Sequence, residues 1–418
     1  MSRIHRIIFV FLFAITAQVF AGYDLPRPTG EHGVGTVRYH MIDKDRLDPY
    51  DQSLYRELMI QVWYPTATKS TTIKAHAQYL PDLMPHMKRM AMESFYVPQV
   101  VLDYLLVDIK CYAQENAPLL SRKQKYPVVI LCHGLGSMVA LHTAHAENLA
   151  SHGYVVFGIN HTFTCSLSIF PDGRIYPFKF NWNAPDKVKE YNCIINLWQK
   201  DVQFVLSQIE NLAQDKVTGD EANQFYHQLD MNKLGMLGHS MGGATSTQML
   251  RRDERVKAAV NMDGPLFGND YEEGFKKPYM VMVAENSDKI TNISMTQKEL
   301  AAKYMTREEE DYLKLIFKFG IRNLCGNIRD LGADAYYVFF RGAGHNTFTD
   351  VPLVKDASVL LGFLEYFGLN TGTVSPVLAI DITNKLVVDF FNKYLMNKPA
   401  LLLEDTRRNP FQEVVISR

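Results

Sequence analysis

Two continuously apolar runs constrain this chain most: "YPVVILCHG" at residues 126–134 and "GYVVFGIN" at residues 153–160. A strand with one face in water alternates apolar and polar residues. A strand that is apolar throughout is buried on both faces, as in the middle of a parallel sheet. The intervening "ALHTAHAENLASHG" has the period and length of a crossover helix. Further strands fit "KLGMLG", "VKAAVNMD" (256–263), "PYMVMVAENSD" (278–288) and "ADAYYVFFRG" (333–342), with helical segments between most of them. "ELMIQVWYP" (57–65) alternates like an early, partly exposed strand. The repeated alternation predicts an α/β fold: a mostly parallel central sheet flanked by helices on both faces. A chain of 418 residues that is 47% hydrophobic and 21% charged can fill such a core.

Two segments exceed what a minimal sheet domain needs. One runs from about residue 75 to 120 and contains "LPDLMPHMKRM" and "FYVPQVVLDYLLVDI", where Pro98 suits a helix start and Val100, Val101, Leu105 and Leu106 form an apolar stripe. The other is "TREEEDYLKLIFKFGIRNLCGNIRDLG" (306–332), a charged start followed by an amphipathic helix. Both are expected as helical insertions near the cleft, able to roof it, and their stripes suit core-facing helices better than lipid-contacting ones.

At the N-terminus, Arg3 and Arg6 precede an apolar run from Ile7 to Phe20, and Val19 and Ala21 are small residues placed for signal cleavage before Gly22. The run is shorter than the roughly 20 residues that span a bilayer. The expected organisation is a signal peptide over 1–21, one domain over 22–396 and a C-terminal tail over 397–418, in a protein exported to a periplasm or secreted. A net charge of −1 with no clustered basic excess gives no reason to expect a nucleic-acid partner. The five cysteines, Cys111, Cys132, Cys165, Cys193 and Cys325, have no CxxC or His-paired spacing, so neither a disulfide framework nor a zinc site is expected, while export would leave room for a single bridge. His142 and His145 read as part of a polar helix face rather than as metal ligands.

The chemistry is concentrated in "KLGMLGHSMGGATSTQML". Gly238-His239-Ser240-Met241-Gly242 follows a strand and opens a helix, the context of a nucleophile elbow. Ser240 is the candidate nucleophile, and Gly238 and Gly242 leave room where a side chain would strike a neighbouring element. A serine hydroxyl needs a base and an orienting acid later in the chain. His345, in the Gly-rich "FFRGAGHNTFTD" after the last strand, is the candidate base. Asp263 and Asp288, each at a strand end, are both candidates for the acid, and spacing does not choose between them. The N–H groups of Met241 and of Leu135, in the glycine-rich "LCHGLGS", are the candidate oxyanion donors.

The blocks "PVVILCHGLGS", "LASHGYVVFGINH", "LGHSMGGAT", "VNMDGPLFG" and "GAGHNTFTD" occur in the order found in the platelet-activating factor acetylhydrolases, the lipoprotein-associated phospholipase group of α/β-hydrolases, which this chain resembles over most of its length. The resemblance implies an α/β-hydrolase fold, with the acid at Asp263 and Asp288 as the alternate. It implies calcium-independent hydrolysis without metal or organic cofactor. The implied substrates are phospholipids with short or oxidised sn-2 acyl chains, cleaved while the lipid is at a membrane or particle surface, with the two amphipathic segments as candidates for that contact. The chain departs from the family pattern in "NHTFTCS", which lacks a charged pair after His161, and in residues 306–332; both differences bear on the acyl pocket. Alternative readings are a general carboxylesterase or polyester hydrolase of the cutinase and dienelactone-hydrolase type, and a non-catalytic lipid-binding protein with this fold. Oligomeric state is not legible in the sequence.

Overall fold

The computed structural model describes residues 25–67, 76–78, 89, 109–181, 186–214, 223–267, 274–285, 287, 321–353, 371–405 and 409–418. Its strands are β1 (Gly33–Asp48), β2 (Asp51–Thr66), β3 (His76–Gln78), β4 (Lys110–Glu115), β5 (Tyr126–Cys132), β6 (Val155–Asn160), β7 (Leu167–Ile169), β8 (Ile175–Pro177), β9 (Leu229–His239), β10 (Val256–Met262), β11 (Tyr279–Ala284), β12 (Ala335–Phe340) and β13 (Val414–Ser417). Among the described residues, eleven of these form one sheet in the order β13-β12-β11-β10-β9-β5-β6-β2-β1-β4-β3, and β7 with β8 forms a separate hairpin. From β6 through β5, β9, β10 and β11 to β12 every pairing is parallel, whereas β2 and β13 join antiparallel. The strand order reverses at β5, which pairs with β6 on one side and β9 on the other. In open α/β sheets the crevice beyond the strand ends at such a reversal is where ligands bind.

Among the described residues, the α-helices are α1 (Thr143–Ser151), α2 (Lys187–Ala213), α3 (Met241–Arg252), α4 (Ile321–Asp330), α5 (Pro376–Met396) and α6 (Leu401–Glu404), with short 3-10 turns at Val139–His142 and His345–Phe348. The period-two geometry of a strand sends alternate β5 side chains to opposite layers. Val128, Ile130 and Cys132 join a core layer with Ile195, Trp198, Val202 and Val205 of α2. Val129 and Leu131 join the other layer, with Leu149 of α1 and Leu386 and Phe390 of α5. Each fully buried Leu or Ile contributes about 1.5–3 kcal/mol, so β5, buried at every position, anchors both layers. Among the described residues no helix is long and apolar enough to cross a membrane.

Residues 57–65 form part of β2 and alternate as expected, Met59 and Gln61 partly exposed between buried Leu58, Ile60 and Val62, but the strand lies inside the sheet between β6 and β1. The C-terminal segment 397–418 packs on the domain, where β13 closes the β12 edge through pairs from Tyr337↔Ser417 to Phe340↔Val414. The described part of the second insertion is core-facing, as its stripe suggests: Ile321, Leu324, Cys325 and Ile328 of α4 are buried in the core. Residues 306–320 and the helix expected after Pro98 lie outside the described residues, as does the N-terminal segment 1–21. His142 and His145 are buried rather than on a solvated face, because α5 covers α1: His145 Nδ1 lies 2.7 Å from Asn384 Oδ1, and burial pushes His142 down to about 3. All five cysteines are free thiols.

Helix α1 also carries a buried acid. Glu147 Oε1 accepts the N–H groups of Tyr112 at 2.8 Å and Ala113 at 2.6 Å, tying α1 to β4. Burial, aided by nearby Asp350, pushes Glu147 up to about 8 from its ordinary 4.5. The folded state therefore keeps this proton where the unfolded chain releases it, and stability falls as pH rises through that interval. In Glu147→Gln the portion of the stability loss between pH 4.5 and about 8 should disappear, as checked by denaturation midpoints across that range.

Candidate active site

Ser240 stands between β9 and α3 with φ 54° and ψ −121°, a backbone conformation that costs about 1–3 kcal/mol for a residue with a side chain. The turn is held by its surroundings: Ser240 N–H donates to the Met262 carbonyl at 2.9 Å. A Cβ at Gly238 would overlap the Gly242 carbonyl, and one at Gly242 would overlap the carbonyl of Cys132 at the end of β5. The two glycines therefore let the start of α3 lie directly against the neighbouring strand end.

The structure brings together Ser240, His345 and Asp263 from the ends of three different strands. His345 follows β12 and has Nε2 at 2.9 Å from Ser240 Oγ and Nδ1 at 2.7 Å from Asp263 Oδ2. The carboxylate accepts, so Nδ1 carries the hydrogen and Nε2 offers its lone pair to the serine hydroxyl. Asp263, just beyond β10 at φ 54°, is buried, while the His345 side chain is 38% exposed and reachable from outside. Its Oδ1 accepts from Ala284 N–H at 2.9 Å and its Oδ2 also accepts from Ser287 Oγ at 2.5 Å. Asn261 pins the turn carrying the aspartate, accepting from Gly264 N–H at 2.7 Å and donating to the Gly264 carbonyl at 3.1 Å. Asp288, the other candidate acid, lies outside the described residues.

The loop after β5 lies against Ser240: a Cβ built on Gly134 would stand 3.2 Å from Ser240 Cβ. Within it, Gly136 N–H donates to the Thr164 carbonyl at 2.9 Å and Ser137 N–H to the Gly134 carbonyl at 3.0 Å. Among the described residues, the N–H groups of Leu135 and Met241 have no protein acceptor; Met241 is the first residue of α3, where the helix cannot supply one. Both are free to meet negative charge developing beside Ser240.

His133 sets the direction of the first of these donors. Its Nδ1–H donates to the Gly134 carbonyl at 2.6 Å, and its Nε2 accepts His161 N–H at 3.2 Å. Those partners demand the neutral tautomer, and burial, reinforced by His161, pushes His133 well below the ordinary histidine range. In a trans peptide C=O and N–H point oppositely, so fixing the Gly134 carbonyl fixes Leu135 N–H. His161 is held in turn by Asp201, 3.0 Å from its Nδ1, and by Trp198, stacked at 4.0 Å between centroids and 6° between planes. Burial alone would raise Asp201, but the guanidinium of fully buried Arg56, bonded at 3.0 and 2.6 Å, holds it below the usual carboxylate range.

Half-buried aromatic rings border this region. Phe178 faces Gly136, whose Cβ would meet the ring at 3.5 Å, and the stack continues through Phe180 and Tyr191 to buried Phe267, with neighbouring planes within 27°. Sequence reasoning singled out Ser240, His345, Asp263, Leu135 and Met241, but not Ser287, Asn261 or the aromatic row. The polar residues of "VNMDGP" and "AENSD" were the available signal.

The family model for "Platelet-activating factor acetylhydrolase, isoform II" matches residues 17–401. Platelet-activating factor acetylhydrolase of Cavia porcellus is 24% identical over 310 residues, 71% of this chain; the chain spans 63% of that protein and of the Canis lupus familiaris one. The Gallus gallus protein of the same name is 20% identical over 90% of this chain and 85% of its own. A probable 1-alkyl-2-acetylglycerophosphocholine esterase of Arthroderma benhamiae is 23% identical over 93% of both. Among solved structures, a ferulic acid esterase from Streptomyces cinnamoneus superposes with a TM-score of 0.67 at 26% identity, covering 95% of this chain and 100% of that one. With the parallel sheet and flanking helices, this likeness makes the fold an α/β-hydrolase fold.

The tight seat of α3 against β5 has a direct consequence. Gly242→Ala must displace the Cys132 carbonyl or the start of α3, so its thermal midpoint should drop by several degrees or more relative to Thr247→Ala, a change within the same helix that adds no atoms.

Proposed function

Because the chain belongs to the platelet-activating factor acetylhydrolase isoform II family, we propose that it is an ester hydrolase of that kind, a serine esterase acting on short or oxidised sn-2 acyl esters of phospholipids through Ser240, His345 and Asp263. The observation that carries this reading is the hydrogen-bonded line from Ser240 Oγ through both His345 nitrogens to Asp263 Oδ2. His345 Nε2 takes the hydroxyl proton as Ser240 Oγ attacks the ester carbonyl. Asp263 holds the imidazole in the required tautomer and stabilises it once charged. The N–H groups of Leu135 and Met241 meet the oxyanion, a contribution of about 3–4 kcal/mol per donor in comparable sites. Collapse of the tetrahedral species passes the proton from Nε2 to the departing alkoxide, releasing a lysophospholipid. Water, deprotonated by the same nitrogen, then cleaves the acyl-enzyme.

No metal or organic cofactor enters this scheme. The Arg3/Arg6-flanked apolar run supports export, with cleavage after Ala21 and a mature chain starting at Gly22. Contact with a membrane or lipid particle belongs to the same reading, since such a lipid presents its ester at a surface.

Mature protein should release acetate from an acetylated ether phosphatidylcholine in the presence of chelator, and an organophosphate should abolish that release. Ser240→Ala should fall on the order of 10⁴-fold or more in kcat with its melting temperature little changed. Wild-type turnover by that variant would remove Ser240 from the mechanism.

A second reading, a carboxylesterase of broader or aromatic specificity, is favoured by the aromatic row beside the Gly136 loop and by the ferulic acid esterase neighbour. A panel of p-nitrophenyl and feruloyl esters beside short-chain phosphatidylcholines separates the two: under the phospholipid reading, kcat/KM is highest for the phosphatidylcholines.

A further inference from the structure

We infer that His239, the residue immediately before the nucleophile, is a positioning residue that holds the base His345 over Ser240 through the backbone; the inference rests on the serine-esterase reading above. His239 ends β9 and is 2% exposed. Its Nε2 lies 2.8 Å from the carbonyl oxygen of His345, across 106 residues of chain. A carbonyl can only accept, so Nε2 carries the hydrogen and Nδ1 carries the lone pair. Nδ1 has no hydrogen-bond partner among the described residues and lies close to Gly134, where a Cβ would stand 3.2 Å away. The ring is thus a single fixed donor. Burial, with His345 and His142 beside it, holds it well below the ordinary histidine range, so it remains neutral.

The geometry gives that donor a use beyond satisfying a carbonyl. His345 sits in a short loop after β12 that is tethered at its start by Gly342 N–H to Glu285 Oε2 at 2.6 Å and within itself by Gly344 N–H to Thr347 Oγ1 at 2.8 Å. Neither bond fixes the distance from the loop to Ser240. The hydrogen bond from His239 does, because its donor is joined covalently to Ser240 and its acceptor belongs to His345 itself. The rings of the two histidines lie 4.7 Å apart at 40°, so the His239 ring also packs beside the imidazole that becomes charged in turnover. A neutral donor suits that position, since a second cation there would oppose proton transfer to His345.

The test is a matched pair. Glutamine places an amide N–H near the position of Nε2, whereas methionine has the same unbranched shape and no donor. His239→Gln should keep kcat for acetate release within about fivefold of wild type, while His239→Met should lose on the order of 10- to 100-fold in kcat with KM within about twofold, as a small misplacement of a reacting group predicts. The rate of Ser240 labelling by a fluorophosphonate should fall in the same order, with the two variants melting at similar temperatures. Should His239→Met not fold, His239→Asn, whose amide stops short of the carbonyl, replaces it. Equal activity of Gln and of the variant without the bond overturns the inference, whether both are active or both impaired. A wild type that neither releases acetate nor labels at Ser240 overturns the hydrolase reading, and this one with it.

Discussion

Everything at the candidate site depends on the absence of side chains where α3 meets β5. Gly242 touches the carbonyl end of β5 closely enough that no other residue fits without movement. That approach seats the first turn of α3 beside the loop after β5 and forces the chain at Ser240 through a conformation that side chains rarely adopt. The strain is local and small against the burial of two core layers built on β5, which is why the surrounding sheet can maintain it.

A second theme is the burial of polar groups in connected sets. Arg56, Asp201, Asp48 and His161 are all removed from water, and each has a charged or hydrogen-bonding partner. Removing one member of such a set leaves another charge stranded, typically at a cost of about 3–5 kcal/mol. Here the set ends at the site: His161 N–H meets His133, and His133 turns the peptide that carries the Leu135 N–H. The direction of one backbone donor at the surface is thereby fixed by a guanidinium deep in the fold.

The parts legible in the sequence were those with strong local signals. β5, β6, β11 and β12 declared themselves by apolar runs, β10 by a mainly apolar segment ending in a polar turn, and Ser240 and His345 by glycine-framed turns in the required order. β1 was missed because "GVGTVRYHMIDKDRLD" carries charges along a strand whose outer half is exposed, and β13 because four residues leave almost no periodic signal. The alternation of β2 was legible, but not its place in the sheet between β1 and β6, which depends on pairings far along the chain. Asp263 and Asp288 could not be separated by spacing, since both follow parallel strands that open onto one edge. The contacts made by Ser287 and His239 span 24 and 106 positions and leave no trace in any window of sequence. His145 read as part of a polar helix face because nothing in α1 announces that α5 will cover it.

The strand order has a consequence for how the molecule reaches its native state. β5 pairs first in sequence with β6 but also with β9, and Ser240 meets a base 105 positions further on, so the parallel half must close long loops before its contacts reward the lost chain entropy. The Ser240, His345 and Asp263 line needs β9, β10, β11 and β12 side by side, so it stays incomplete until β12 has paired.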